Sequence, residues 1–147
     1  MLGGLAYLHA RGIVHRDIKL DNLVFTLQSE ETVIKLIDFG LATVIGGNQK
    51  ASGAVGSLPF AAPEVLAENS KYDEKCDLWS AGVLLYTLVC GEYPFNVRDR
   101  QRCIKRIRTG KMKSKKMALL EKSVADVELK DLLLKLLEPS PAKRISA

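Results

Sequence analysis

Residues 15–22 read His15-Arg16-Asp17-Ile18-Lys19-Leu20-Asp21-Asn22, and residues 38–40 read Asp38-Phe39-Gly40, directly behind the β-rich run Val33-Ile34-Lys35-Leu36-Ile37. The first stretch mixes charged and apolar residues without a sustained period, as a structured loop does. A carboxylate there can align a substrate hydroxyl or accept its proton. A lysine two residues on can neutralise charge on a transferred group, and an amide five residues on can ligate a divalent cation. A carboxylate at a strand end suits Mg²⁺, which prefers oxygen ligands and completes its shell with phosphate. Gly40 lets the chain turn sharply behind it. Each tripeptide alone is a weak signal; the two in this order, with a β ribbon between them, are a strong one.

Working outward, Leu23-Val24-Phe25-Thr26-Leu27 is a second β-rich run, and Gln28 to Glu31 can turn it into the first, so an antiparallel ribbon is expected. Upstream, Leu2, Leu5, Ala6 and His9 fall on one face at helical spacing, and Gly12 stops the element. Downstream, Gly40 to Ala61 is rich in Gly, Ser and Ala and too long for a simple connector, which marks a functional or switchable loop. Pro63 predicts the first turn of a short helix reaching Ala67. Asp73 to Cys90 is apolar nearly all round and predicts the central core helix. Further helices are expected over about Val97 to Thr109, ended by Gly110, and about Val127 to Leu137, closed by Pro139 and Pro141. The fold class is therefore mainly α, a helical bundle with a small antiparallel β ribbon beside two unusual loops.

The 147 residues suit one domain, and 47% hydrophobic with 27% charged residues excludes a disordered chain. Cys76, Cys90 and Cys103 form no CxxC pair, which argues against a disulfide framework or zinc site and for a reducing, cytoplasmic or nuclear, compartment. The longest apolar run, Leu78 to Cys90, is too short for a bilayer, so no membrane partner is expected. Charge is uneven: Arg98 to Lys116 holds ten basic residues against one acid, Asp99. This block is read as a solvated helix face followed by a flexible lysine-rich loop. It lacks the interleaved aromatics of a single-strand surface, so nucleic acid is not expected.

The ordered motifs resemble the catalytic, C-terminal lobe of the eukaryotic protein kinases. They are His15-Arg16-Asp17 with Lys19 and Asn22, Asp38-Phe39-Gly40, Ala62-Pro63-Glu64, Asp77-Leu78-Trp79-Ser80-Ala81-Gly82 and Lys143-Arg144-Ile145-Ser146, and they run from end to end of the chain. The resemblance implies a serine/threonine kinase fold in which the ribbon carries the catalytic and DFG loops, with residues 38–64 as the activation segment. It implies that Asp17 orients and deprotonates the substrate hydroxyl, that Lys19 contacts the γ-phosphate of ATP, and that Asn22 and Asp38 hold Mg²⁺. Val24 would touch the adenine, His15 and Phe39 would stack in a hydrophobic spine, and Asp77 would brace the catalytic loop. Glu64 and Arg144 would form a buried ion pair. Ser57 would link Asp17 to Lys19, as in the serine/threonine class.

Arg16 beside Asp17 implies control by activation-loop phosphorylation from an upstream kinase, with Ser52 the best-placed acceptor and Thr43 and Ser57 weaker ones. Gly53 stands where a phosphothreonine often sits, and Phe60 where many relatives carry tyrosine. The stretches Gly56 to Leu66 and Lys71 to Phe95 look most like the calcium/calmodulin-regulated and AMP-activated branches. The partner implied is a protein with a Ser/Thr acceptor. No GxGxxG occurs, and the family's nucleotide-covering N-terminal lobe has no counterpart here. Residues 1–147 are thus expected to be a partial kinase domain, truncated at both ends, with little or no activity alone and with an apolar face bare around Val24 and Phe39. A non-catalytic kinase-like binding scaffold is the competing expectation.

Overall fold

Apolar periodicity and glycine punctuation produce five helices and three separate two-stranded ribbons among the described residues, which in this computed structural model are 1–28, 31–47 and 49–147. Helix α1 (Leu2–His9) leads into β1 (Ile13–Val14), then a single 3-10 turn at Leu20–Asn22. Strands β2 (Leu23–Gln28) and β3 (Glu31–Leu36) pair antiparallel, with Leu23 opposite Leu36 and Phe25 opposite Ile34. The expected turn between them includes residues 29 and 30, which lie outside the described residues. The long Gly-rich loop is not featureless: β4 (Thr43–Val44) pairs back onto β1, and β5 (Ala51–Ser52) pairs with β6 (Lys71–Tyr72).

Helix α2 (Lys75–Cys90) is the centre, with Cys76 to Leu84 and Tyr86 all buried. Two hydroxyls interrupt its apolar run, and both find acceptors: Ser80 Oγ lies 2.8 Å from the Phe60 carbonyl and 3.1 Å from the Cys76 carbonyl, and Thr87 Oγ1 donates to the Val83 carbonyl (2.8 Å). Around it pack α3 (Arg100–Thr109), α4 (Ser114–Ser123) and α5 (Val127–Leu136). Gly82 is where α2 meets α5. A Cβ there would come 2.8 Å from Leu136 Cβ and 3.1 Å from the Leu137 side chain. Gly82→Ala should therefore overpack the joint and lower stability by about 1–3 kcal/mol, read as a fall in Tm; an unchanged Tm would mean the helices separate freely.

Three expectations need correction. The lysine-rich stretch is not a flexible loop, because Ser114–Ser123 forms α4, with Leu120 buried against the core. Its helicity is hidden in the sequence by one-sided charge. Pro63 to Ala67 is a pair of turns, not a helix: the Val65 and Leu66 amides both return to the Ala62 carbonyl and the ladder stops there. The basic helix starts at Arg100, three residues later than its apolar spacing implied, because the Asp99 carboxylate caps the Arg102 amide at 3.0 Å.

The expected bare face is present. Phe25 is 70% and Phe39 47% exposed, with Ile34 and Ile37 beside them, whereas Val24 is half-buried. No helix among the described residues is long and apolar enough to cross a membrane.

Candidate active site

The loop that follows β1 is held by a carboxylate from the core. Asp77, on α2 and fully buried, accepts the His15 amide on Oδ2 and the Arg16 amide on Oδ1, both at 2.8 Å. Its Oδ2 also meets His9 Nε2 at 3.0 Å. These bonds hold Arg16 at φ +68, a left-handed conformation that disfavours a side chain bearing Cβ. Helical spacing places His9 only on a helix face; its partnership with Asp77 joins residues 68 apart and leaves no local signal.

The His15 ring is oriented from both sides. Its Nδ1 accepts the Asp17 amide (3.3 Å), which leaves Nε2 to donate to the Ile37 carbonyl (3.2 Å). Phe39 packs on the ring at 5.0 Å between centroids. A histidine with both ring nitrogens engaged by the backbone is a strut rather than a base.

Asp17 itself is nearly buried and surrounded by donors. Oδ1 accepts the Ser57 amide (3.1 Å) and hydroxyl (3.0 Å); Oδ2 accepts Lys19 Nζ (2.6 Å) and Asn22 Nδ2 (3.2 Å). Asn22 Nδ2 also reaches the Asp17 carbonyl at 2.8 Å, and Lys19 Nζ lies 3.4 Å from Ser57 Oγ. Burial by itself would raise this carboxyl. The Lys19, Ser57 and Asn22 hydrogen bonds and the Lys19 charge outweigh it and hold Asp17 below the usual carboxylate range. In return the hydrogen bond to Asp17, and the charges of Asp17, Asp21 and Asp38, hold Lys19 above the usual lysine range. Ser57 reaches this position because Gly56 takes φ +88 against the Arg16 carbonyl, a contact with no room for a Cβ.

Asp38 arrives from the other side of the ribbon. The Ile37 amide donates to the Asn22 carbonyl at 3.0 Å, one rung beyond the β2–β3 ladder, so Asn22 and Asp38 emerge at the same ribbon end. Asp38 adopts φ +62, and its Oδ1 accepts the Gly40 amide at 3.1 Å. The donor set fits a hard cation. The recorded Asn22 side-chain bonds use only its nitrogen, and the Asp38 bond uses only Oδ1, leaving one oxygen on each.

The three hydroxyls expected as phosphate acceptors divide by exposure. Ser57 is committed to Asp17, Thr43 is half-buried in β4 opposite Val14, and Ser52 is exposed with Lys71 as its cross-strand partner. Arg16 Nε donates to the Leu41 carbonyl (2.6 Å), and its Nη1 lies 3.5 Å from the Ser52 carbonyl. Glu64 and Arg144 form the expected ion pair, and it is bidentate, at 2.6 and 3.0 Å.

A model of the protein kinase domain matches residues 1–147. The chain belongs to the protein kinase family. It is 40% identical over 148 residues to calcium-dependent protein kinase 4 of Plasmodium berghei (strain Anka), covering 100% of this chain and 27% of that protein. It is 39% identical over 148 residues to calcium-dependent protein kinase 4 of Plasmodium falciparum (isolate 3D7), again 100% of this chain and 27% of the relative. Calcium-dependent protein kinase 5 of Plasmodium berghei is 38% identical over 110 residues, 75% of this chain and 19% of its own length. The chain thus spans about a quarter of the first two relatives. Protein kinases use ATP and Mg²⁺ and act on protein substrates, and the mainly helical fold with its small ribbons is the expected kinase-like one.

Proposed function

We propose that this chain is the catalytic lobe of a serine/threonine protein kinase that transfers the γ-phosphate of ATP to protein hydroxyls. By the names of its relatives it falls in the calcium-regulated branch. The observation that carries the reading is the four-donor cage around Asp17, built by Lys19, Asn22 and Ser57. A carboxylate held below its ordinary pKa is a weak base. Asp17 therefore acts chiefly by aligning the substrate hydroxyl and takes its proton late, as the hydroxyl acidifies on bonding to phosphorus. Lys19, cationic throughout the physiological range, faces the transferred group. Asn22 and Asp38 offer the oxygens for Mg²⁺, which would neutralise phosphate charge, and Val24 would meet the adenine. A binding scaffold has no physical need for this cage. Residues 38–64 form the activation segment, and the bare face at Phe25, Ile34 and Phe39 is where the rest of a kinase domain would pack. The three free cysteines fit a cytoplasmic or nuclear setting.

The test is γ-phosphate transfer from ATP to a serine peptide by the longest polypeptide in which this chain occurs. Transfer should require Mg²⁺ and stop on chelation. Asn22→Ala and Asp38→Ala should each raise the Mg²⁺ concentration needed; transfer unaffected by either change would overturn the assignment.

For regulation we propose Ser52 as the site an upstream kinase modifies. Its exposure supports this, as do Lys71 opposite it and Arg16 nearby. A phosphate there would gain charge-assisted bonds worth about 1.5–3 kcal/mol each. Mass spectrometry should find phosphate on Ser52 in the activated protein, and Arg16→Ala should abolish the activation without removing the phosphate. Equal activation in that variant would sink the role given to Arg16.

A further inference from the structure

Between the end of α2 and the start of α4 lies a charge arrangement that folding alone does not explain. Lys113, Lys115 and Lys116 crowd the first turn of α4, which holds no acid and has no side-chain cap. A helix amino end carries about half a positive charge and leaves its first amides without intrahelical acceptors, so it favours anions and disfavours cations. One acid answers these lysines. Glu92 Oε2 sits 2.8 Å from Lys116 Nζ, and that bond holds Glu92 below the usual carboxylate range. Among the described residues, Arg98, Lys113 and Lys115 have no salt-bridge partner, although the chain as a whole carries 17 acids that could supply one.

Arg98, Lys113, Lys115 and Lys116, with Tyr93, Phe95 and the single acid Glu92, line a solvent-open cavity of about 460 Å³, within the roughly 300–1,000 Å³ range of small-ligand sites. Its aromatic residues are not stacking platforms. Phe95 is buried and stacked on Trp79 at 5.6 Å, and Tyr93 meets Phe60 edge-on at 5.7 Å. That disfavours single-stranded nucleic acid, which needs free aromatic faces. An extended acidic peptide would need a groove rather than one pocket.

We infer that this cavity binds a compact polyanion with clustered phosphates, presented either as a free polyphosphate or as a phosphoinositide headgroup. The anion would sit at the positive end of α4, where it offsets the repulsion among Arg98, Lys113 and Lys115. The site is separate from the Asp17 cage, and its occupancy can be measured without any phosphate transfer.

The experiment is calorimetric titration of the chain with inorganic tripolyphosphate and with inositol hexakisphosphate at about 0.15 M salt. Alongside it runs co-sedimentation with phosphatidylcholine vesicles with and without a bisphosphorylated phosphoinositide. Saturable one-site binding is expected for at least one probe; the soluble arm identifies a free anion as the source, the vesicle arm a headgroup. A triple variant, Arg98→Ala, Lys113→Ala and Lys115→Ala, should weaken binding at least about ten-fold. Arg100→Ala, Lys105→Ala and Lys111→Ala removes equal charge from the same basic block outside the cavity and should leave affinity within about two-fold. All six side chains are exposed, so both variants should fold, and tripolyphosphate should raise the Tm of wild type and of the second variant but not of the first. Equal weakening in both variants, no saturable binding to any probe, or an oligonucleotide that outcompetes tripolyphosphate would each overturn the proposal.

Discussion

Asp17→Asn should cut phosphate transfer by roughly 10²–10⁴-fold. The substitution keeps the shape and removes the charge. All four donors around the carboxylate point inward, two to each oxygen. An amide must turn its own NH₂ toward one of those pairs, so it loses bonds on one side whichever way it flips. A stability loss of about 1–3 kcal/mol should therefore accompany the loss of rate. Ser57→Ala separates the two effects. It deletes one donor, keeps the Asp17 charge, and should cost much less rate than Asp17→Asn.

The pH dependence follows from the same cage. Because the folded Asp17 carboxyl lies below its ordinary range, its contribution to stability is present above the unfolded value and is lost as pH falls through the lowered folded one. Transfer that depends on Asp17 should thus stay level as pH drops toward the ordinary carboxylate range. Lys19 is shifted the opposite way, so its contribution is full below the ordinary lysine range and fades as pH rises through its raised value. A rate profile that already falls between neutral pH and the ordinary carboxylate range would contradict the geometry. So would a variant at Asp17 that keeps its rate.

The second large effect is expected at Arg144, which is 2% exposed yet fully bonded. Beyond its two bonds to Glu64, Nη1 donates to the Lys75 carbonyl (2.7 Å), Nε to the Glu138 carbonyl (2.8 Å) and Nη2 to the Pro139 carbonyl (3.3 Å). Its guanidinium also lies 5.2 Å from the Trp79 ring centroid. Arg144→Ala would leave a nearly buried carboxylate without its cation and remove the side-chain donor from the Glu138 and Pro139 carbonyls, and should cost about 3–5 kcal/mol, read by urea unfolding. Glu64→Gln keeps an acceptor for the guanidinium and should cost less. Arg144→Lys should rescue poorly, since an ammonium cannot reproduce the planar fork. If Arg144→Ala unfolds at the wild-type urea midpoint, the tie between the activation segment and the last residues is not structural.

Much of the site was legible because its chemistry is written locally. Asp17, Lys19 and Asn22 share one short loop, and Asp38 follows a strand that pairs residue by residue with the one after Asn22, so the ribbon alone brings them together. The buried Glu64–Arg144 pair and the His15–Phe39 contact were readable only by resemblance, since nothing in spacing links positions so far apart. His9 was missed for the same reason. α4 was missed because its dense one-sided charge hides its apolar positions, and the Pro63 helix failed because the Val65 and Leu66 amides both return to the Ala62 carbonyl and no ladder follows.

By itself, the order of residues determined the secondary elements with strong periods, the buried identity of α2, and the set of oxygen and nitrogen groups the chemistry uses. Such properties depend on neighbours three, four or two positions apart, which a linear reading can see. Only the tertiary structure decided the Ser57 half of the Asp17 cage, the tautomer of His15 and the left-handed turn at Arg16. Each depends on a hydrogen bond with a residue 22 to 62 positions away. The physical reason is that burial and partner distance, not sequence distance, govern the energy of a charge.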